Sequence, residues 1–248
     1  MKKPAALIPA RFKSTRFPGK PLVALLGKPM IIYVCEATAK AVGAASTYVA
    51  TDSDQIAKVV REHGYQAVMT SEKCLTGTDR IAEAIEQLDA DVVVNVQGDE
   101  PMVSPESILK IIEAKLKFPD LVVNGMTRPG PDEDPSSPNM PKVVVNEAHR
   151  LLYMSRAAIP SSKAGPLPVS AIWKQLGFYA FSPAQLRAYR GFGRKSYNEQ
   201  FEDIEILRFL DLNIGVQMVE LPSGSLAVDC PEDVAVVEKA MRNLRPHS

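Results

Sequence analysis

Histidine and cysteine are both scarce in this 248-residue chain, at three each. His63, His149 and His247 are scattered, so the sequence offers little support for a histidine-centred metal site or a Ser-His-Asp triad. Cys35, Cys74 and Cys230 are odd in number and have no metal-ligand spacing, and a reduced, cytoplasmic setting is expected. Neither sign of charge is in surplus: Lys+Arg and Asp+Glu are both 29, for a formal net charge of zero. A broad basic surface is therefore missing, which argues against general nucleic-acid binding. No apolar run approaches the length of a membrane span, so no membrane partner is expected. The opening MKKPAALIPAR has too short an apolar stretch for a signal peptide and is expected to be mature protein. The 46% hydrophobic and 23% charged content is ordinary for a globular protein. The length allows a substantial core, in one large domain or two small lobes.

The first half alternates strand and helix patterns. Strands are expected at Ala5–Pro9, Thr47–Thr51 and Asp91–Val96, the last a near-continuous apolar run suited to a sheet covered on both faces. Helices are expected at Pro29–Val42, at Asp54–His63, after a Thr78 N-cap, and after a Ser104 N-cap. This order indicates an α/β fold with a doubly wound, mostly parallel sheet. The pattern changes after Met126. A proline-rich loop, 128–141, precedes three strand candidates, Lys142–Val145, Leu151–Ser155 and Gln175–Phe181, which suggest an antiparallel or mixed excursion. A helix over Glu199–Leu212, a strand over Val216–Leu221 and a closing helix over Pro231–Arg242, with Pro231 at its first position, complete the reading.

The most informative segment is the loop after the first strand. It begins at Pro9 and Ala10 and carries Arg11, Lys13, Arg16 and Lys20 with no acidic residue among them. A strand that runs into a basic, Pro/Gly-punctuated loop is where an α/β protein grips phosphates. The Walker spacing is absent and Gly19 is the loop's one glycine, so side chains must supply most of the positive field. Arg11 and Arg16 offer planar forks and Lys20 a point charge.

Two acidic segments complement it. In VNVQGDEPM the strand ends at Gln97-Gly98, and Asp99 and Glu100 follow at its carboxyl end, where open α/β sheets place ligands. In AVDCPED, Glu232 and Asp233 suit the first turn of a helix, whereas Asp229 lies outside it. Aspartates facing a triphosphate weaken its binding unless a cation lies between them. Mg²⁺ is typically held by one or two carboxylates together with phosphate oxygens and waters. A basic loop with two strand-end aspartates therefore implies a metal–nucleotide complex if the fold unites them. A third segment, TGTDR, sets Gly77 between the hydroxyls of Thr76 and Thr78, with Arg80 following.

Taken together, PARFKSTRFPGKPL, VATD, TGTDR, VNVQGDEP, YMSRAAIP, GFYAF and VDCPED occur in an order and spacing that resemble the CMP-Kdo synthetases, the 3-deoxy-manno-octulosonate cytidylyltransferases. The resemblance spans nearly the whole chain. It implies a nucleotidyltransferase-type (Rossmann-like) α/β fold with a smaller mixed β portion for acceptor binding and dimerisation. On this basis residues 1–126 and 205–248 are expected to form the nucleotide-binding core, and 127–204 the smaller subdomain of a homodimer. The implied reaction joins CTP to the sugar acid Kdo and releases pyrophosphate, for lipopolysaccharide or capsule. Arg11, Ser14, Arg16 and Lys20 match the triphosphate loop. Thr76, Gly77, Thr78 and Arg80 match the cytidine segment. Asp99 and Asp229 match the Mg²⁺ ligands, and Gln97, Arg156 and Tyr179 match positions on or near the sugar side. The chain departs from the family pattern at Gln175, where His is usual, and at Arg208-Phe209, where Glu-Gln is usual. Arg208 is thereby expected to add a cation on the acceptor side. A different keto-acid sugar or a phosphonate is the alternative acceptor, and a non-catalytic nucleotide-binding module is the alternative function.

Overall fold

A computed structural model of the chain describes residues 2–13, 17–131, 133–165, 167–222 and 226–244. The chain opens with β1 (Pro4–Ala10), a small hairpin of β2 (Ala24–Leu25) and β3 (Lys28–Pro29), and α1 (Met30–Val42). β4 (Thr47–Thr51), α2 (Asp54–Glu62), β5 (Gln66–Met69), α3 (Gly77–Ala84), β6 (Val92–Val96), α4 (Pro105–Lys117) and β7 (Val122–Thr127) follow. The hairpin of β8 (Lys142–Val145) and β9 (Leu151–Ser155) leads to β10 (Trp173–Phe181). Then come α5 (Pro183–Gly191), α6 (Tyr197–Glu202), α7 (Leu207–Asp211), β11 (Val216–Glu220) and α8 (Asp233–Leu244). No helix among the described residues is long and apolar enough to cross a membrane.

The main path of the sheet runs β11-β7-β10-β6-β1-β4-β5. β6, β1, β4 and β5 are mutually parallel, as are β7 and β11, while β10 runs antiparallel to both of its neighbours. β8 pairs with β10 and β9 off this path. Side chains that alternate along one strand enter opposite layers. Ala5 and Leu7 of β1 join the core beneath α3, α5 and α7, whereas Ala6, Ile8 and Ala10 join the core beneath α1, α2 and α4. With both faces covered, β6 can read VVVNV with no exposed position.

Several elements differ from the sequence expectation. β10 is no excursion but lies inside the main sheet, between β7 and β6, which buries it on both sides. The N-cap of α3 is Thr76, not Thr78, because the Thr76 hydroxyl accepts the Asp79 amide. The helix expected over Glu199–Leu212 is two short helices. Asp203 breaks it in a left-handed conformation (φ 50°), and the Arg156 guanidinium donates to the carbonyls of Glu202 and Asp203, drawing them out of a continuing helical ladder. α8 begins at Asp233, with Pro231 in the turn before it. β5, β7 and α5 were not expected, although α5 opens on a full capping box between Ser182 and Gln185.

Two buried cations tie helices together. The Lys115 ammonium of α4, 2% exposed, donates to the carbonyls of Pro119 and Leu121 and to Gln185 Oε1 at the head of α5, at 2.7, 2.6 and 2.8 Å. Burial lowers its pKa to about 8. Arg208 of α7 is fully buried. Its Nε and Nη2 donate to Glu199 at 2.7 and 2.6 Å, its Nη1 donates to Asp79 at 2.8 Å, and its plane lies 3.8 Å from the Tyr189 ring centre.

Each cation generates a prediction. Lys115→Met should cost about 1–3 kcal/mol at neutral pH, since it leaves buried acceptors unpaired. The folded-state pKa lies below the ordinary 10.5, so the unfolded chain binds the extra proton between about pH 8 and 10.5. Wild-type stability should therefore rise relative to the variant across that window, as read by urea unfolding. Arg208→Met should cost about 3–5 kcal/mol, because it strands two buried carboxylates. Adding Asp79→Asn and Glu199→Gln should restore most of that loss in the same unfolding assay.

Candidate active site

A cleft of about 830 Å³ opens at the carboxyl ends of β1 and β6. β1 delivers Pro9 and Ala10 to its edge and leads into Arg11, while β6 ends in the turn of Gln97, Gly98 and Asp99. A Cβ on Gly98 would stand 2.8 Å from the Pro9 carbonyl oxygen, so glycine is what lets the two strand ends lie this close. Gln97 is seated in the same way over Gly177 of β10, where a Cβ would meet its Cγ at 2.5 Å.

The basic loop folds back across this edge. Its neck is closed by the Gly19 amide donating to the Phe12 carbonyl, with Gly19 at φ 72°. The short 3-10 turn that follows, Lys20–Leu22, sends the Lys20 ammonium to Asp99 Oδ2 at 2.7 Å and to Asp229 Oδ1 at 3.6 Å. Asp229 is brought there from the far end of the chain by the hydrogen bond from the Val228 amide to the Asp99 carbonyl. Below it, the Asp233 carboxylate accepts the amides of Cys230 and Asp229, which holds that carboxyl below its ordinary pKa. The Cys230 thiol donates to the same carboxylate at 3.2 Å. Arg11 lines the cleft beside this cluster. Ser14 and Arg16, expected in the same loop, lie outside the described residues.

A third side of the cleft is the head of α3. Thr76, Gly77 and Arg80 line it. The Arg80 guanidinium is held from behind by Asp52 at the end of β4 and by the Thr70 hydroxyl, at 2.7 and 2.6 Å. Glu205 plugs the helix end: its carboxylate accepts the amides of Gly77 and Thr78 at 3.0 and 2.9 Å, and the Thr78 hydroxyl. Burial raises the Glu205 pKa, and those hydrogen bonds oppose the rise. The amides at this helix end are thus already satisfied from within the chain.

The opposite wall comes from the second half of the chain. Arg156 bridges it, donating from Nη1 to the Pro138 carbonyl at 2.7 Å and from Nη2 to the Asp203 carbonyl at 3.0 Å. Lys195 pairs with Asp203 at 2.5 Å, and both line the cleft. Glu205, Lys195 and Asp203 escaped the sequence reading. Asp203 and Glu205 stand in the acidic run EDIE, which by itself assigns no site role, and each of the three gains its place from a turn or a short helix far along the chain from the loop it faces.

Four expected residues do not line the cleft. Thr78 is 1% exposed and turned to Glu205. Gln175 and Tyr179 lie beneath the floor: Gln175 Nε2 donates to Asn124 Oδ1 at 3.0 Å and to the Tyr179 hydroxyl at 3.2 Å. Burial drives the Tyr179 pKa up, and the nearby carboxylates of Glu205, Glu100 and Asp99 add to the rise. Arg208 requires a correction. It adds no cation to the acceptor side, because its charge is sealed between Asp79 and Glu199.

The chain is similar to known proteins along nearly its whole length. A family profile described as Cytidylyltransferase matches residues 5–214. The 3-deoxy-manno-octulosonate cytidylyltransferase of Syntrophobacter fumaroxidans is 40% identical over 93% of this chain and 94% of its own length. The mitochondrial form from Arabidopsis thaliana is 38% identical over 95% of this chain and 82% of its own. A solved structure of CMP:2-keto-3-deoxy-manno-octonic acid synthetase, complexed with CTP, superposes with a TM-score of 0.89 at 34% identity, covering 97% of this chain and 99% of that one. The 4-diphosphocytidyl-2C-methyl-D-erythritol synthase of Anaerococcus prevotii, 14% identical with a TM-score of 0.64, shares the fold. With its cleft at the ends of β1 and β6 and its match along nearly the full length, the chain belongs to the cytidylyltransferase family, among the 3-deoxy-manno-octulosonate cytidylyltransferases.

Proposed function

We propose that this protein is a CMP-Kdo synthetase, which transfers CMP from CTP to Kdo and releases pyrophosphate. Beyond family membership, one observation carries the reading: Asp99 and Asp229 both meet the Lys20 ammonium at the edge of a cleft that Arg11 also lines. In the reaction the anomeric hydroxyl oxygen of Kdo attacks the α-phosphorus in line. The new O–P bond forms as the bond to the bridging oxygen breaks, pyrophosphate leaves with that bond's electron pair, and the hydroxyl proton passes to solvent.

Asp99 and Asp229 are the residues that would hold Mg²⁺. The donor set suits a hard cation. Both side chains offer carboxylate oxygens, and one or two carboxylates, with substrate oxygens and water, are what Mg²⁺ typically takes. The ion's chemistry, when bound, is Lewis-acid activation of the attacking hydroxyl and of the α-phosphoryl group. The chain's own residues do the rest. Arg11, Arg16 and Lys20 are assigned to the phosphates, where cations counter the charge that develops on the departing pyrophosphate. Thr76, Gly77 and Arg80 are assigned to the nucleoside side. There Glu205 and Asp52 hold the helix head and the guanidinium from behind, and orientation is fixed before substrate arrives. Gln97 and Arg156 face the acceptor from the floor and the opposite wall, with Tyr179 and Gln175 supporting the floor.

The alternative acceptor, a different keto-acid sugar or a phosphonate, drew on Arg208 as an added cation, and the neutralised state of that side chain removes that ground for it. The chain is proposed to act in a reduced, cytoplasmic setting, in keeping with its three free cysteines. It is also proposed to act as a homodimer. Support comes from Tyr197 and Phe201 of α6, 69% and 71% exposed and paired edge-to-face at 5.3 Å. Aromatic anchors of this kind are enriched in interfaces.

Two measurements test the reading. In a CTP-dependent pyrophosphate-release assay with Kdo, Asp99→Asn and Asp229→Asn should each lower turnover at least a hundredfold while circular dichroism stays native; near-normal rates in either would remove that carboxylate from the reaction. In sedimentation velocity, Phe201→Glu should shift a dimer to monomer, and an unchanged dimer would exclude α6 from the interface.

A further inference from the structure

Lys20 occupies an unusual place for a phosphate-binding cation. Its ammonium does not point into open solvent but touches both Asp99 and Asp229, and its side chain is only 15% exposed. The backbone dictates this. The Phe12–Gly19 hydrogen bond closes the loop, Gly19 takes a left-handed conformation, the Lys20 amide donates to the Phe17 carbonyl at 3.2 Å, and the buried Pro21 anchors the turn. The two carboxylates are themselves fixed, Asp99 by the end of β6 and Asp229 by the Val228 and Asp233 hydrogen bonds.

An ammonium in that position competes with a divalent cation. Both seek the same carboxylate lone pairs. Mg²⁺ binds oxygens at about 2.0–2.1 Å, which brings it within a few ångströms of an ammonium held by the same carboxylates. Two cations a few ångströms apart also repel. Without any cation the two aspartates would repel each other in turn, and the lysine offsets that repulsion. Its four-carbon stem allows the charge to swing away without moving the backbone. We propose that Lys20 is a tethered counter-ion: it occupies the Asp99–Asp229 pair in the nucleotide-free protein and yields it to a divalent ion only when a polyphosphate draws the ammonium aside. Metal and polyphosphate then bind cooperatively, because each relieves a cost that the other would otherwise meet alone. The inference rests on the reading of Asp99 and Asp229 as metal ligands.

The test uses Mn²⁺ as the probe and nucleotide-free protein, with free Mn²⁺ read by electron paramagnetic resonance during titration. Lys20→Gln should bind Mn²⁺ at least tenfold more tightly than wild type, and Lys20→Gln/Asp99→Asn should lose that gain. Lys20→Ala, which has no long side chain to pack, should repeat the gain. Mn²⁺ should raise the melting temperature of the two single Lys20 variants by more than that of wild type. Arg11→Gln, which removes another cleft cation, should change Mn²⁺ affinity less than threefold; a gain equal to that of Lys20→Gln would assign the effect to net charge and overturn the proposal. If wild type and both Lys20 variants bind Mn²⁺ equally, and Asp99→Asn abolishes binding in each, the tethered role falls while the metal reading stands. If Mn²⁺ binding depends on Asp99 in none of them, the metal reading fails and the inference falls with it.

Discussion

The hydrogen bond from the Val228 amide to the Asp99 carbonyl is the constraint on which the cleft depends. It fastens the segment before α8 to the end of β6 and so brings Asp229 level with Asp99. The carboxylates then share one ammonium from a loop that left β1 many residues earlier. Three distant parts of the chain meet in the space of a few atoms. They meet because β1 and β6 are parallel neighbours whose carboxyl ends open in the same direction. Gly98 completes the arrangement by letting the two strand ends touch.

Around this meeting point the protein buries charge to gain rigidity. Arg208, Asp79 and Glu199 form one ion cluster behind the head of α3, and the Thr76 hydroxyl, on the cleft rim, donates to Asp79. Glu205 closes the same helix end from the side of α7. A buried ion cluster of this kind adds little net stability compared with an apolar core of the same shape. What it supplies here is position: its hydrogen bonds have fixed directions, and the rim they hold belongs to the cleft. Lys115 does a comparable job deeper in the fold, where it joins α4 to α5 through neutral oxygens alone.

The fold was legible where local signals are strong. β1, β4 and β6 stand within a residue of their expected bounds, because an apolar run bounded by polar turns has few other solutions. The Ser104 cap opens α4 as read, with its hydroxyl accepting the Ser107 amide. Reading failed where two signals compete. Asp203 interrupts an otherwise good helical pattern because Arg156, 47 positions earlier, takes its carbonyl. β10 resembles part of a separate antiparallel unit in sequence, yet β6 and β7 enclose it. At the cleft, the basic loop, the β6 end and the Asp229 segment were recognisable as chemistry. Lys195, Asp203 and Glu205 were not, since neither a lysine nor the acidic run EDIE says which wall of the cleft it will reach.

The amino-acid order by itself determined the class of fold, the family and the acidic segments around Asp99 and Asp229, although Asp229 lies in the turn before α8 and not at a strand end. All of these are written in short windows, where alternation, capping and charge runs act between near neighbours. Only the tertiary structure decided what each charge meets. Arg208 looks like a free cation in the sequence, but it is neutralised by Glu199 nearby and by Asp79, 129 positions away. Lys20 looks like a phosphate ligand, yet its ammonium sits on Asp99, 79 positions away. The physical reason is that a charge's behaviour depends on its partners within a few ångströms, and which partners those are is settled by strand order and packing rather than by position along the chain.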